Sequence, residues 1–194
     1  MGFLSVLTMA QRWAAERASA PGSLAIDATA GTGVDTLFLA RTVGPKGRVF
    51  AFDIQEAALR RTRDRLAEAA AGDEALAPVE LVHAGHERMA EFVPAASHGR
   101  VRAIMFNLGY LPGGDENVIT RPDSTLAALE AALELLAPGG ALTAVLYPGH
   151  PGGETEAAAV ERWASEVPGS RAQAVTYRFP QKPAAPYLVA LEKR

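Results

Sequence analysis

Asp27, Gly31, Gly33 and Asp53 are the residues of this 194-residue chain whose types and spacing first suggest chemistry. They fall within LAIDATAGTGVDTLFLARTVGPKGRVFAFDIQ, Leu24 to Gln55, which reads as an apolar strand, a glycine turn, a helix and a second strand ending in Asp53. Gly31 and Gly33 let the backbone approach a ligand where a Cβ would collide, and the helix that follows aims its unpaired N–H groups at the same place. Asp53, twenty residues beyond Gly33, can accept hydrogen bonds from both hydroxyls of a ribose. The ligand implied is an adenosine-like nucleoside.

Dinucleotide dehydrogenases and S-adenosylmethionine (SAM) methyltransferases share this layout, and two details separate them. Thr36 stands where a dinucleotide fingerprint needs a third glycine or alanine for close helix packing. The run DATAGTG, beginning at Asp27, resembles the acidic-x-x-x-Gly-x-Gly signature of class I SAM methyltransferases. The turn therefore predicts SAM.

A second candidate segment is FNLGYLPGGDE at 106–116, after a buried strand and so at the carboxyl end of a sheet, where α/β folds bind ligands. Asn107, Gly109 and Tyr110 stand like the Asn/Asp-Pro-Pro-Tyr motif of amine-methylating enzymes, with Leu108 and Gly109 in place of the prolines. There a side-chain oxygen and a backbone carbonyl accept the hydrogens of an amine and aim its lone pair at the sulfonium methyl, while the ring packs on the substrate. Such in-line transfer needs no metal, only donor and acceptor held at near-attack distance. Asn107 and Tyr110 are the expected catalytic pair; the alternative for Asn107 is a turn residue.

The four histidines, 83, 86, 98 and 150, pair with no cysteine and form no metal motif. No metal is expected. His86, in VHAGHER after the third strand, sits where this fold commonly contacts adenine; His150, in YPGHPGG, is either on the substrate side or a turn residue. Glu87 and Asp115 are equally readable as loop or cap residues. Cysteine is absent, which removes disulfides, thiolate metal sites and the nucleophile that methylation of a pyrimidine ring carbon usually needs, so the target is a nitrogen or oxygen.

The elements that must position these groups follow from apolar runs. Strands are predicted at Leu24–Ala28, Val49–Phe52, Val79–Val82, Val101–Leu108, Ala141–Tyr147, Ala174–Phe179 and Tyr187–Leu191, with helices at Thr36–Thr42, Glu56–Ala71, Ser124–Leu136 and Glu154–Glu166. Pro122-Asp123 starts the third helix and Pro138-Gly139-Gly140 stops it. Alternation gives an α/β, doubly wound, Rossmann-like, mostly parallel sheet of seven strands. The last two strands, separated only by PQKPAAP, form an antiparallel hairpin. Phe3–Ala18 has helical spacing and is expected over the sheet edge or in a lid, and GDEALAP at 72–78 in a surface loop.

The whole of 1–194 reads as one domain. Hydrophobic residues make 48% and charged residues 21%, an ordinary globular balance. No run approaches the length of a membrane span and no basic leader with a cleavage site precedes the domain, so a cytoplasmic protein without membrane contact is expected. A net charge of −3 does not suit nonspecific coating of nucleic acid. RNA would need a local basic face from Arg12, Arg17, Arg121, Arg178 and Lys182.

DATAGTGVDT, AFDIQ, AGHE, FNLGYLPGGD, YPGHPGG and PYLVALEK together resemble one family over nearly the whole chain, the bacterial proteins described as putative rRNA methylases and associated with tRNA 5-aminomethyl-2-thiouridine methyltransferase. NLGYLPGGD is the most specific part. The resemblance implies a class I SAM methyltransferase that methylates the 5-aminomethyl amine of wobble uridine in tRNA, with Thr32, Gly33, Asp53, Gln55 and His86 against SAM and Asn107 with Tyr110 facing the amine. Asp27, Thr29, Gly31, Asp35, Thr36, Ile54, Gly85 and Asn107 complete the expected cofactor set. The chain departs from the family at Thr32, Val34 and Pro180. A small-molecule amine methyltransferase and a non-catalytic SAM-binding module are the alternatives, and a homodimer is left open.

Overall fold

The computed structural model describes residues 2–109, 113 and 120–194. Its elements run α1 (Val6–Ala18), β1 (Leu24–Asp27), α2 (Val34–Val43), β2 (Arg48–Asp53), α3 (Glu56–Ala71), β3 (Val79–His83), α4 (Met89–Phe92), β4 (Val101–Leu108), α5 (Pro122–Leu135), β5 (Leu136–Leu146), α6 (Gly153–Glu166), β6 (Ala172–Tyr177) and β7 (Tyr187–Lys193). The strands form one sheet in the order β3-β2-β1-β4-β5-β7-β6. The first five are parallel; β7 runs antiparallel to both β5 and β6. The expected terminal hairpin is present, with β7 inserted beside β5.

Both faces of a parallel sheet are buried, so its strands sort side chains by size. Ile26, Phe50, Phe52, Ile104 and Phe106 point to one face, against α4, α5 and α6. Ala25, Val49, Ala103, Met105 and Ala190 point to the other. The small side chains there admit α1, whose Val6, Ala10, Ala14 and Ala18 are buried at helical spacing and equally small. Consequently α1 lies across β4, β5 and β7 rather than over a sheet edge. Ser5 caps it, accepting from the Thr8 N–H at 3.1 Å.

Pro122 opens α5 as expected, but Pro138-Gly139-Gly140 does not separate helix from strand. Leu136 already pairs with Val101, and the next pairing is Ala141 with Ala103, so the Pro-Gly-Gly run is an irregularity inside β5. Gly139 takes φ +72 there, and a side chain on Gly140 would press the Val101 carbonyl at 3.0 Å. Between β3 and β4 the connection carries only 3₁₀ turns and the four-residue α4. Among the described residues no helix is long and apolar enough to cross a membrane.

Candidate functional site

The strand order reverses between β1 and β4, and a crevice opens there beyond the carboxyl ends of the parallel strands. A cavity of about 410 Å³ occupies it, within the roughly 300–1,000 Å³ of small-molecule sites. Thr29, Gly31, Thr32, Asp35, Asp53, Ile54, Gln55, Gly85, His86 and Asn107 line it, which brings together ten of the residues expected at the cofactor. Asp27, Gly33 and Thr36 do not line it and stand behind the wall. Tyr110 and Asp115 lie outside the described residues.

Asp53 ends β2 with its Oδ2 accepting from the Gly31 N–H at 2.9 Å and its Oδ1 accepting from the Gln55 N–H at 2.8 Å. The carboxylate thus ties the glycine turn to the start of α3 and keeps spare lone pairs for a ligand. Gly31 has φ +56, and the turn is left-handed again at Gly33, φ +78. At Gly33 the constraint is packing: a Cβ would stand 2.8 Å from the Thr62 Cα of α3. Being a glycine, this cap of α2 makes no side-chain bond to the helix's first N–H groups. The Arg65 guanidinium donates to the Thr32 carbonyl at 2.7 Å from outside.

Asp27 is wholly buried beneath the turn. Its carboxylate accepts from the Thr36 hydroxyl at 2.6 Å and the Thr29 N–H at 3.1 Å. Burial, and then the nearby charge of Asp35, push its pKa up to about 7. The outcome shows which effect wins, since both hydrogen bonds favour the anion and are outweighed. Asp35 and Asp53 both raise the Asp27 pKa, and their two carboxyl groups on the cavity lining favour a cation there.

Asn107, near the end of β4, donates its side-chain amide to Asp35 Oδ2 at 2.6 Å, while its backbone N–H donates to the Thr29 hydroxyl at 2.7 Å. Gln11 of α1 donates to the other Asp35 oxygen at 2.7 Å. Asn107 Oδ1 is buried and, among the described residues, has no hydrogen-bond partner. Sequence reading missed Gln11 because α1 bears no recognisable motif, and its helical spacing marks only its buried face.

His86 is nearly buried, its ring edge-on to Phe106 at 5.8 Å. Burial lowers its pKa, outweighing Glu87, Glu156 and Asp53, so the imidazole is neutral at neutral pH. Tyr147 lines the opposite wall, and burial, reinforced by Asp35, raises its phenol above the usual range. Thr120, Ser124 and Gly109 complete that side. His83 meets the Ile54 carbonyl and His98 the Val93 carbonyl, while His150 faces the Pro151 carbonyl and does not line the cavity. Among the described residues no cluster of His, Asp or Glu could hold a metal ion.

The basic residues expected to converge are divided. Arg12 pairs with Glu16, and Arg17 pairs with Glu192. Glu192 is opposite Ala141, at the end of the sheet away from the cavity, so Arg17 does not belong to a face around the site. Arg178 pairs with Glu161 and lies over the Tyr187 ring at 4.4 Å. Arg121 is exposed beside Thr120, and Lys182 is exposed in the β6–β7 connection at the cavity end.

The sequence matches the family described as putative rRNA methylase over residues 49–192. A chloroplastic tRNA (mnm(5)s(2)U34)-methyltransferase of Arabidopsis thaliana is 42% identical over 178 residues, 89% of this chain; the chain spans 64% of that relative's length. Among solved structures, a putative rRNA-methylase from Clostridium thermocellum superposes with TM-score 0.91 at 35% identity, covering all of both chains. A putative methyltransferase from Streptococcus mutans in complex with SAH does so with TM-score 0.85 at 32% identity, again covering both chains fully. A SAM-dependent O-methyltransferase from Thermotoga maritima, at 16% identity and TM-score 0.64, covers all of this chain and 67% of its own, and shares the fold.

Proposed function

We propose a substrate from the premise that this chain belongs to the putative rRNA methylase family and is a class I, SAM-dependent methyltransferase of the tRNA or rRNA type: the acceptor is the amine of a 5-aminomethyl group on wobble 2-thiouridine in tRNA. The observation that carries this reading is Asn107, which lines the cavity and whose buried Oδ1 has no donor among the described residues. An amine N–H supplies such a donor, whereas a deprotonated oxygen acceptor would have none to give. The relative from Arabidopsis, a tRNA (mnm(5)s(2)U34)-methyltransferase by name, supports the same substrate.

The residues fit the cofactor. In this reading Asp53 receives the ribose hydroxyls, Gly31 and Thr32 give backbone contact to the methionine portion, Ile54 and His86 border the base, and the acidic floor suits a cationic donor. Bound SAM supplies a sulfonium methyl open to in-line displacement by an amine lone pair. Asp35 holds the Asn107 amide, so the Asn107 oxygen can orient the amine. An alkylamine must be unprotonated to react, and a neutral His86 adds no positive charge beyond the sulfonium.

A second reading, methylation of a small-molecule amine, draws on the net charge of −3 and on the ion pairs that occupy Arg12, Arg17 and Arg178. Incubation with labelled SAM and undermethylated bacterial tRNA, followed by nucleoside mass spectrometry, separates the two. Label in 5-methylaminomethyl-2-thiouridine is expected. Label absent from tRNA but present in a free amine would favour the second reading.

A further inference from the structure

Glu156, in the first turn of α6, is 2% exposed and does not line the cavity. Among the described residues no cation pairs with it. Its two oxygens are instead taken by two hydroxyls: Thr120 donates to Oε2 at 2.5 Å and Thr125 donates to Oε1 at 2.6 Å. A buried carboxylate held by neutral donors alone is costly, even at a helix N-terminus. Thr125 is wholly buried, but Thr120 lines the cavity.

The bond to Glu156 fixes what Thr120 offers to the cavity. A hydroxyl has one hydrogen and two lone pairs. The short bond to Oε2 commits the hydrogen, so only lone pairs remain for a ligand. The Thr120 N–H also donates to the Gly109 carbonyl at 3.1 Å, which places that hydroxyl beside the backbone just past Asn107. Asn107 and Thr120 both line this cavity, and each carries an oxygen that can accept a hydrogen bond.

We propose that Glu156 is a positioning residue which holds the Thr120 hydroxyl as a hydrogen-bond acceptor for the substrate amine, so that Thr120 and Asn107 each take one of its hydrogens. The proposal rests on the amine reading above. It assigns the buried carboxyl group a task that an apolar residue at 156 could not perform, since without an acceptor there the hydroxyl would rotate and act as donor or acceptor indifferently.

The test measures tRNA methylation by the full chain for Thr120→Val, Thr120→Ser, Glu156→Gln and Thr125→Val, with SAM affinity and thermal midpoint for each. Thr120→Val and Glu156→Gln are expected to lower kcat about tenfold, with SAM affinity within about twofold of the wild type. Thr120→Ser should recover most of the rate, since it keeps the hydroxyl. Thr125→Val should lower the thermal midpoint while leaving kcat within about twofold, because it loses a bond to the same carboxylate but does not reach the cavity. Thr120→Val and Glu156→Gln at wild-type kcat overturn the proposal, as does Thr125→Val lowering kcat as much as Thr120→Val, which marks a purely structural cluster. A wild type inactive on aminomethyl-thiouridine tRNA but active on an alcohol acceptor overturns the substrate reading and this proposal with it, whereas an active wild type with unaffected variants overturns this proposal alone.

Discussion

Asp35 in the first turn of α2 accepts the side-chain amide of Asn107 at the end of β4, at 2.6 Å. With the Asn107 NH₂ donating to Asp35, the pair fixes which way the amide faces and turns Asn107 Oδ1 away from Asp35. That oxygen is buried without a partner among the described residues. An orphaned acceptor costs about 1–3 kcal/mol, which a donor on a bound substrate recovers.

Removing either end of the pair should therefore harm turnover more than cofactor binding. Asn107→Ala and Asp35→Ala are each expected to lower kcat by about 10- to 100-fold, the scale of a lost hydrogen bond to a charged group. Single-turnover methylation beside calorimetric SAM titration checks this. A collapse of SAM affinity with a normal saturated rate would assign Asn107 to the cofactor instead.

Asp53 is expected to carry ribose recognition. Asp53→Ala should weaken SAM by about 1.5–3 kcal/mol, from lost hydrogen bonds to a charged group and a glycine turn no longer tied through Gly31. The wild type should bind SAM and its demethylated product but not NAD. Calorimetry with all three ligands decides the matter.

Gly33 is a packing constraint, so its substitution should act on the fold first. Gly33→Ala would force a Cβ to 2.8 Å from the Thr62 Cα at φ +78. A loss of about 1–3 kcal/mol of stability is expected from the backbone strain alone, read by denaturant unfolding. Unchanged stability would show that α3 can yield.

Asp27 makes stability depend on pH. Its folded pKa, about 7, lies above the ordinary 3.8, so the native state binds more protons than the unfolded state between these values. Stability attributable to this group is therefore full below about pH 4 and is lost as pH rises towards 7. Asp27→Asn should remove that slope, and the difference between mutant and wild type should grow from pH 4 to 7 and then level off. Thermal midpoints across that range test the sign.

Contact with RNA should depend on the cations at the cavity end of the sheet. Charge reversal of Arg121 or Lys182 is expected to reduce tRNA methylation and to lower the salt slope of binding by roughly one unit per lost phosphate contact, with SAM affinity intact. Arg17→Glu should not, because Arg17 is paired with Glu192 at the opposite end. Equal effects from all three would point to bulk charge rather than a site.

The order of elements and the strand-turn-helix-strand unit that lines the cavity were legible in the sequence because they depend on local periodicity and on residues close together in the chain. The run from Asp27 through the glycine turn to Asp53 lies within one strand-helix-strand unit, and its ends meet wherever that unit forms. Of NLGYLPGGD, Asn107 and Gly109 line the cavity at the end of β4, while Tyr110 lies outside the described residues. Tertiary structure decided what depends on approach between distant segments. The small side chains of Ala25, Ala103 and Ala190 let α1 cross the sheet and bring Gln11 to Asp35. Leu136 reached Val101 before the Pro-Gly-Gly run could end the helix. Gly33 packed against Thr62 of a separate helix, and Glu156 met Thr120 across 36 positions of sequence. No local pattern encodes these meetings, since packing of the two layers against the sheet chooses them.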